Sequence, residues 1–305
     1  VELRHLRYFS AVAEEAHFRR TAEALHVSQP TLSLQVQELE KELGVALFDR
    51  IGRRVRLTQA GQVFRDYARR ALAVLDEGKA ALGEIDGMLR GSLSVGVVQT
   101  VNAYLIPSVI ARFSTDYPNV RLRVEELAAA EIENGVLDGS LDLGISCLPP
   151  AHKEIESEQL FEEEFVLVVP PAHRLAGRDR MRLAELAGEP LCLLGKKFCT
   201  RRIIDEGFSR AGVQPTVVVE MNSVEGVLAV VEAGGPATIL PTLAMSRQSL
   251  KAVRIDKPTP KRTVSVMKLK GHAPLRARTV FIERVTTTLR AAKSPPDRGT
   301  VHPRP

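Results

Sequence analysis

Four arginines, Arg50, Arg53, Arg54 and Arg56, fall within the seven-residue stretch RIGRRVR. Guanidinium groups stay charged and present a planar fork of donors, so their chemistry is pairing with phosphate or carboxylate rather than proton transfer. Upstream, LHVSQPTLSLQVQELEKELG (Leu25 to Gly44) carries Ser28, Gln29, Ser33 and Gln37, which can donate and accept, and Leu34, which can do neither. On a helix turning about 100° per residue, Leu32, Val36, Leu39 and Leu43 form one apolar stripe, and Pro30, Ser33, Leu34 and Gln37 lie opposite it. Gln29 matches an adenine edge, Ser33 a base or phosphate, and Leu34 a thymine methyl. Such a face reads edges; it does not make bonds.

A third set sits at two helix starts. In VVQTVNAY a strand ends near Val98 and Gln99, Thr100 and Asn102 open the next helix; in FCTRR, Thr200 and Arg201 do the same. Free N–H groups and the helix dipole at such starts favour an anion, with hydroxyl and guanidinium donors beside it. Cys199 shares that position, but the other two cysteines, Cys147 and Cys192, stand apart from it in sequence, so it is read as structural rather than as a redox centre. The chain has no phosphate-binding G-x-x-x-x-G-K-[ST] loop, no H-E-x-x-H and no nucleophile elbow, and its carboxylate run Glu162, Glu163, Glu164 reads as solvated surface. An enzyme is not expected, nor a metal or cofactor.

Three segments must position these groups. The first, residues 1–58, reads as helices Leu3 to Ala16, Phe18 to Leu25 and Gln29 to Leu43, the last two joined by only HVS, as a helix-turn-helix requires. Ser28 caps the third helix and Pro30 is tolerated in its first turn. VALFDRIGRRVRLT follows as a hairpin turning at Ile51 and Gly52, a basic wing. Residues 59–90 form one long helix, about 46 Å from Thr58 to Leu89 at 1.5 Å per residue. Its apolar and small positions Phe64, Ala71, Leu75, Gly78, Leu82 and Ile85, with Ala68, repeat every 3.5 residues on average and predict a dimer seam. Residues 91–292 alternate short β-rich and helical runs, a rhythm that predicts a mostly parallel sheet in two lobes, 91–164 with 268–292 and 165–267, and a cleft at the strand ends. The Pro-rich tail 293–305 is expected to be disordered.

The 305 residues carry a net charge of +5, but not evenly. Residues 1–90 hold 14 basic and 13 acidic side chains, residues 91–250 hold 14 and 21, and residues 251–305 hold 14 and 3. The overall basicity is therefore no argument for nucleic acid, and the local arginine cluster is. No apolar run reaches the ~18 residues of a membrane helix, and the N-terminal stretch lacks a signal-peptide pattern, so a cytoplasmic protein is expected. Residues 91–292 alone would also suit a solute-binding protein, against which the preceding 90 residues argue.

LRYFSAVAEEAHF, TAEALHVSQPTLSLQVQELEKELGVALFDR, VRLTQAGQVF and GSLSVGV together resemble the LysR-type transcriptional regulators over residues 1 to about 292. The resemblance implies an α/β chain with an all-α N-terminal part: a winged helix-turn-helix, a dimerising linker helix and a two-lobed effector domain similar to periplasmic binding proteins. It implies a homodimer or homotetramer on double-stranded, pseudo-palindromic promoter DNA, bent differently when a small-molecule effector binds, with RNA polymerase as a further partner. It also implies that Ser146 and Asn222 line the effector pocket, and that Thr31 joins the DNA-facing set. GSLSVGVVQTVNAYLIP, FCTRRIIDEGF and NSVEGVLAVV look most like the branch of the cyanate-responsive regulator. Two positions depart from the family pattern: His17 stands where many relatives cap the second helix with Ser or Thr, and Leu34 where many carry Gln or Arg.

Overall fold

The computed structural model describes residues 1–51, 54–85, 89–245, 247, 249–271 and 275–293. The predicted tail from 294 on and the wing tip at Gly52 and Arg53 lie outside them. Two compact units divide the chain near residue 88.

The first unit contains α1 (Leu3–Glu15), α2 (Phe18–Ala24), α3 (Gln29–Leu43), β1 (Phe48–Ile51), β2 (Arg54–Leu57) and α4 (Gln59–Ile85). Its core is the predicted stripe of α3, with Phe9, Val12, Phe18, Ala22, Leu47, Phe48 and Ala68 around it. Phe9 lies 5.3 Å from Phe48 and 5.1 Å from Phe64, ring centre to ring centre. The Glu40 carboxylate accepts from the backbone N–H groups of Leu47 (2.7 Å) and Phe48 (3.0 Å), which fixes where the wing leaves the helices. Ile51, expected in the turn, instead pairs with Arg54 as the last rung of the antiparallel hairpin. At the start of α4 the backbone runs so close to the wing that a methyl on Gly61 would lie 2.0 Å from the Leu47 carbonyl oxygen. Gly61→Ala is therefore expected to destabilise this unit by about 1–2 kcal/mol, read from denaturant unfolding; an unchanged midpoint would contradict that close approach.

The second unit opens with β3 (Gly91–Val97), α5 (Gln99–Tyr104), α6 (Ile106–Asp116), β4 (Val120–Glu126), α7 (Ala129–Asp138) and β5 (Leu143–Cys147). It continues with β6 (Ile155–Val169), β7 (Arg180–Arg182), β8 (Pro190–Leu194), α8 (Cys199–Arg210), β9 (Thr216–Met221) and α9 (Val224–Glu232). β10 (Thr238–Pro241), β11 (Lys251–Asp256), β12 (Lys261–Leu269) and α10 (Arg276–Lys293) complete it. The strand order is β4-β3-β5-β12-β6-β11-β7, β10 also pairs with β6, and β8 pairs with β9.

Two expectations are corrected here. The sheet is mixed rather than mostly parallel: β3 runs parallel to β4 and β5, whereas β12 is antiparallel to β5 and β6, and β10 and β11 are antiparallel to β6. The lobe boundary also moves. β12 pairs with β5 and with the first ten residues of β6, so the chain returns to the first lobe before Lys261, not near 268. β6 itself belongs to both lobes: Ile155 to Glu164 face β12, and Phe165 to Val169 face β10 and β11. Phe165, Leu167, Leu193, Ile204 and Phe208 are among the buried residues of the second lobe. No helix among the described residues is long and apolar enough to cross a membrane.

Candidate nucleic-acid interface and effector cleft

α3 begins and ends where its sequence directs. The Ser28 hydroxyl accepts from the Thr31 N–H (3.2 Å) and lies 2.7 Å from the Thr31 hydroxyl, so both side chains serve the cap. Gly44, at φ +70°, closes the other end. Leu32, Val36 and Leu39 are fully buried, which turns Gln29, Pro30, Thr31 and Gln37 to solvent and leaves Ser33 half-buried. Leu34 is 54% exposed on that same face. α2 is capped less tightly, by His17 Nδ1 accepting from the Arg20 N–H at 3.4 Å. In the wing, Asp49 pairs with Arg56 and Arg50 with Val55; the side chains of Arg50 and Arg54, like all of Arg53, fall outside the described residues.

The seam predicted on α4 divides in two. Phe64 and Ala68 pack into the core of their own unit, because Phe9 reaches them first. Ala71, Leu75, Gly78 and Leu82 are exposed, Leu82 at 68%, while the Ile85 side chain lies outside the described residues. Val63, Tyr67 and Val74 add an exposed apolar row that the repeat did not single out.

In the second unit the Val98 N–H donates to the Ile145 carbonyl (3.0 Å), so α5 starts just beyond the adjacent carboxyl ends of β3 and β5. Gln99, Thr100 and Ser146 are buried there. Gln99 Nε2 donates to the Asn222 carbonyl (2.9 Å), bridging to the loop between β9 and α9. Gln99 Oε1, Thr100 Oγ1 and Ser146 Oγ are buried without any hydrogen-bond partner. A buried unpaired polar atom costs about 1–3 kcal/mol, so three in neighbouring positions mark a place built for something else to bind.

Other predicted residues are occupied within the protein. Arg201 donates from Nε to Asp205 (2.9 Å) and from Nη1 to Glu220 (2.8 Å) and the Leu194 carbonyl (3.2 Å), so it braces α8 against β8 and β9 instead of offering these donors to a ligand. Asn102 Nδ2 is turned to Glu126 (3.0 Å), and the exposed Asn222 contributes its backbone rather than its amide to Gln99. The cation of the cleft is Arg262. Its Nε and Nη2 donate to Glu163 Oε1 at 2.8 and 2.5 Å, and its Nη1 lies 3.4 Å from Thr200 Oγ1 and 3.9 Å from Cys147 Sγ. Tyr104, one turn along α5 from Thr100, donates from its hydroxyl to the same Glu163 oxygen (3.1 Å).

Burial and then the Glu163 charge push the Tyr104 hydroxyl far above its ordinary range, against the pull of Arg262. Cys147 and Cys199 hydrogen-bond to each other: that contact, with burial, raises the Cys147 thiol, whereas on Cys199 the Cys147 bond and the charges of Arg262 and Arg202 outweigh burial and lower it. Sequence reasoning missed Tyr104, Cys147, Glu163 and Arg262. The one available signal was the period of two in EEE, which buries Glu163 between exposed Glu162 and Glu164 and so corrects the reading of this run as solvated surface.

Comparison with known proteins carries the same division of the chain. Residues 3–62 match the family "Bacterial regulatory helix-turn-helix protein, lysR family" and residues 86–290 match "LysR substrate binding domain". A hydrogen peroxide-inducible genes activator of Pectobacterium carotovorum subsp. carotovorum is 33% identical over 95% of this chain and 96% of its own. A full-length OxyR variant from Pseudomonas aeruginosa superposes with a TM-score of 0.76 at 29% identity, covering 95% of both chains. CbnR, solved in complex with its target DNA, gives 0.68 at 28% identity, covering 94% of this chain and 100% of the other. These relatives place the chain's likeness with OxyR-type regulators rather than with the cyanate-responsive branch. With both family matches in chain order around the recognition helix and the cleft, the chain belongs to the LysR family of bacterial transcriptional regulators, DNA-binding proteins with an effector-binding domain.

Proposed function

We propose that this regulator reads promoter DNA in the cytoplasm through Gln29, Pro30, Ser33, Leu34 and Gln37, with Arg50, Arg53 and Arg54 of the wing on the phosphates. Copies join along the exposed stretch of α4, as a dimer or tetramer, and RNA polymerase is the partner downstream. The signal is a small anion that accepts hydrogen bonds from Thr100, Ser146 and Thr200. The observation that carries this reading is the pair of buried hydroxyls, Thr100 and Ser146, that have no partner at the ends of β3 and β5. A hydroxyl without an acceptor is a donor held ready, and a compact anion supplies the missing acceptor. Glu163 already balances the Arg262 charge, so selectivity falls to the hydroxyls rather than to net charge.

Footprinting of the DNA upstream of the regulator's own gene, with and without small anions such as cyanate, tests this directly. Thr100→Val and Ser146→Ala are each expected to raise the anion concentration for a half-maximal footprint change about tenfold, equivalent to roughly 1.4 kcal/mol, and to leave the anion-free footprint as it was. An identical response in both variants would overturn the assignment.

A further inference from the structure

Cys147 and Cys199 are 3% and 5% exposed and belong to different lobes, one ending β5 and the other opening α8. Fifty-one residues lie between them in sequence, yet their side chains meet. The guanidinium of Arg262 sits beside both: it reaches Cys147 Sγ and the hydroxyl of Thr200, the residue next to Cys199. A pair of thiols that merely fills a core needs no fixed cation at its edge, and burying that cation has required Glu163 as a counter-charge. A cation beside a thiol favours the thiolate, which is the nucleophilic form. The third cysteine differs: Cys192 lies on β8 in an apolar cluster with Val166, Leu194 and Val227, where burial alone raises its thiol.

We propose that Cys147 and Cys199 are a redox-active dithiol that a small hydroperoxide converts to a disulfide, tying the end of β5 to the first turn of α8. In the first step the Cys199 thiolate attacks one oxygen of the hydroperoxide. The S–O bond forms, the O–O bond breaks, and the leaving oxygen departs as an alcohol, or as water when the oxidant is hydrogen peroxide, after taking up a proton. Cys199 is then a sulfenic acid, oxidised by two electrons. In the second step the Cys147 sulfur attacks the Cys199 sulfur; the S–S bond forms, the S–O bond breaks, and hydroxide leaves as water with the Cys147 proton. The balance is two thiols and one hydroperoxide to one disulfide, one alcohol and one water. Closure draws two sulfurs already in contact to covalent distance and fixes one lobe against the other. The reaction shares Thr200 and Arg262 with the anion site but does not depend on an anion being the effector.

The test uses the full chain, reduced anaerobically and then given one equivalent of hydrogen peroxide. Remaining thiols are alkylated in denaturant and peptides are mapped without reduction. The expected product is a single intramolecular cross-link joining the Cys147 and Cys199 peptides, with Cys192 alkylated to the same extent as before. In Cys192→Ser the cross-link persists; in Cys147→Ser, Cys199 is trapped instead as its dimedone adduct. Should Cys147→Ser fail to fold, the map of the unaltered chain decides. Overturning results are Cys199 recovered as sulfinic acid with Cys147 still alkylated, a cross-link through Cys192, or Cys199 oxidised no faster than Cys192. None of these outcomes moves the footprint response to anions, so the two assignments fail separately.

Discussion

Replacing Arg262 with Met is expected to cost the second unit about 3–5 kcal/mol of stability, a large part of what a domain of ordinary stability possesses. The reason is the charge left behind. Glu163 and Arg262 have side chains only 3% and 1% exposed, and both nitrogens that reach Glu163 end on one oxygen, Oε1. With Met at 262, that carboxylate keeps only the Tyr104 hydroxyl, and it must either stay ionised in an apolar surrounding or take up a proton. Removing the charge as well, in Glu163→Leu with Arg262→Met, is expected to restore most of the loss, less the cost of the orphaned Tyr104 hydroxyl. Denaturant unfolding followed by circular dichroism measures all three proteins. A single-variant loss below about 1 kcal/mol would mean that water reaches the pair and that it behaves as a surface salt bridge.

Leu34→Gln is expected to change which base is preferred at one position of each half-site, by about 1–3 kcal/mol or roughly ten- to a hundredfold in relative affinity, while leaving the fold intact. Leu34 is more than half exposed on the face opposite Leu32, Val36 and Leu39, so its replacement removes no packing. An apolar side chain there discriminates only by contact with a thymine methyl, whereas an amide can pair with adenine. Selection from a randomised operator reads the difference. The same preference in both proteins would take Leu34 off the base edges and leave direct readout to Gln29, Ser33 and Gln37.

The first unit was legible almost residue by residue, and the second only in outline. Gln29 to Leu43 was read with its true ends because both ends are local: a serine cap and a glycine in the left-handed region need no tertiary context. NAYLIPSVIARF, taken as one helix, is two, since Pro107 withholds the N–H that would continue the α5 ladder into α6. The first half of β6, IESEQLFEEE, escaped notice because it exposes charges at every second position and contains few β-branched residues. KRTVSVMKL was missed as a central strand for a similar reason: Arg262 looks like surface until Glu163 is known to face it. Pairings such as Cys147 with Cys199 leave no periodic trace, because strand crossovers and not spacing bring them together. Arg201 shows the opposite error, a charged residue in a promising position that local carboxylates had already claimed.

That β6 exchanges neighbours between Glu164 and Phe165 has a mechanical meaning. The Phe165 N–H is held by the Pro260 carbonyl at 2.9 Å, just where the chain runs back from β11 into β12, so two stretches of backbone cross the same gap side by side. Such a joint yields by torsion and springs back, unlike a loose tether that lets its two halves drift. Whatever occupies or closes the cleft therefore winds this double ribbon by a small angle, and the signal leaves the domain as twist.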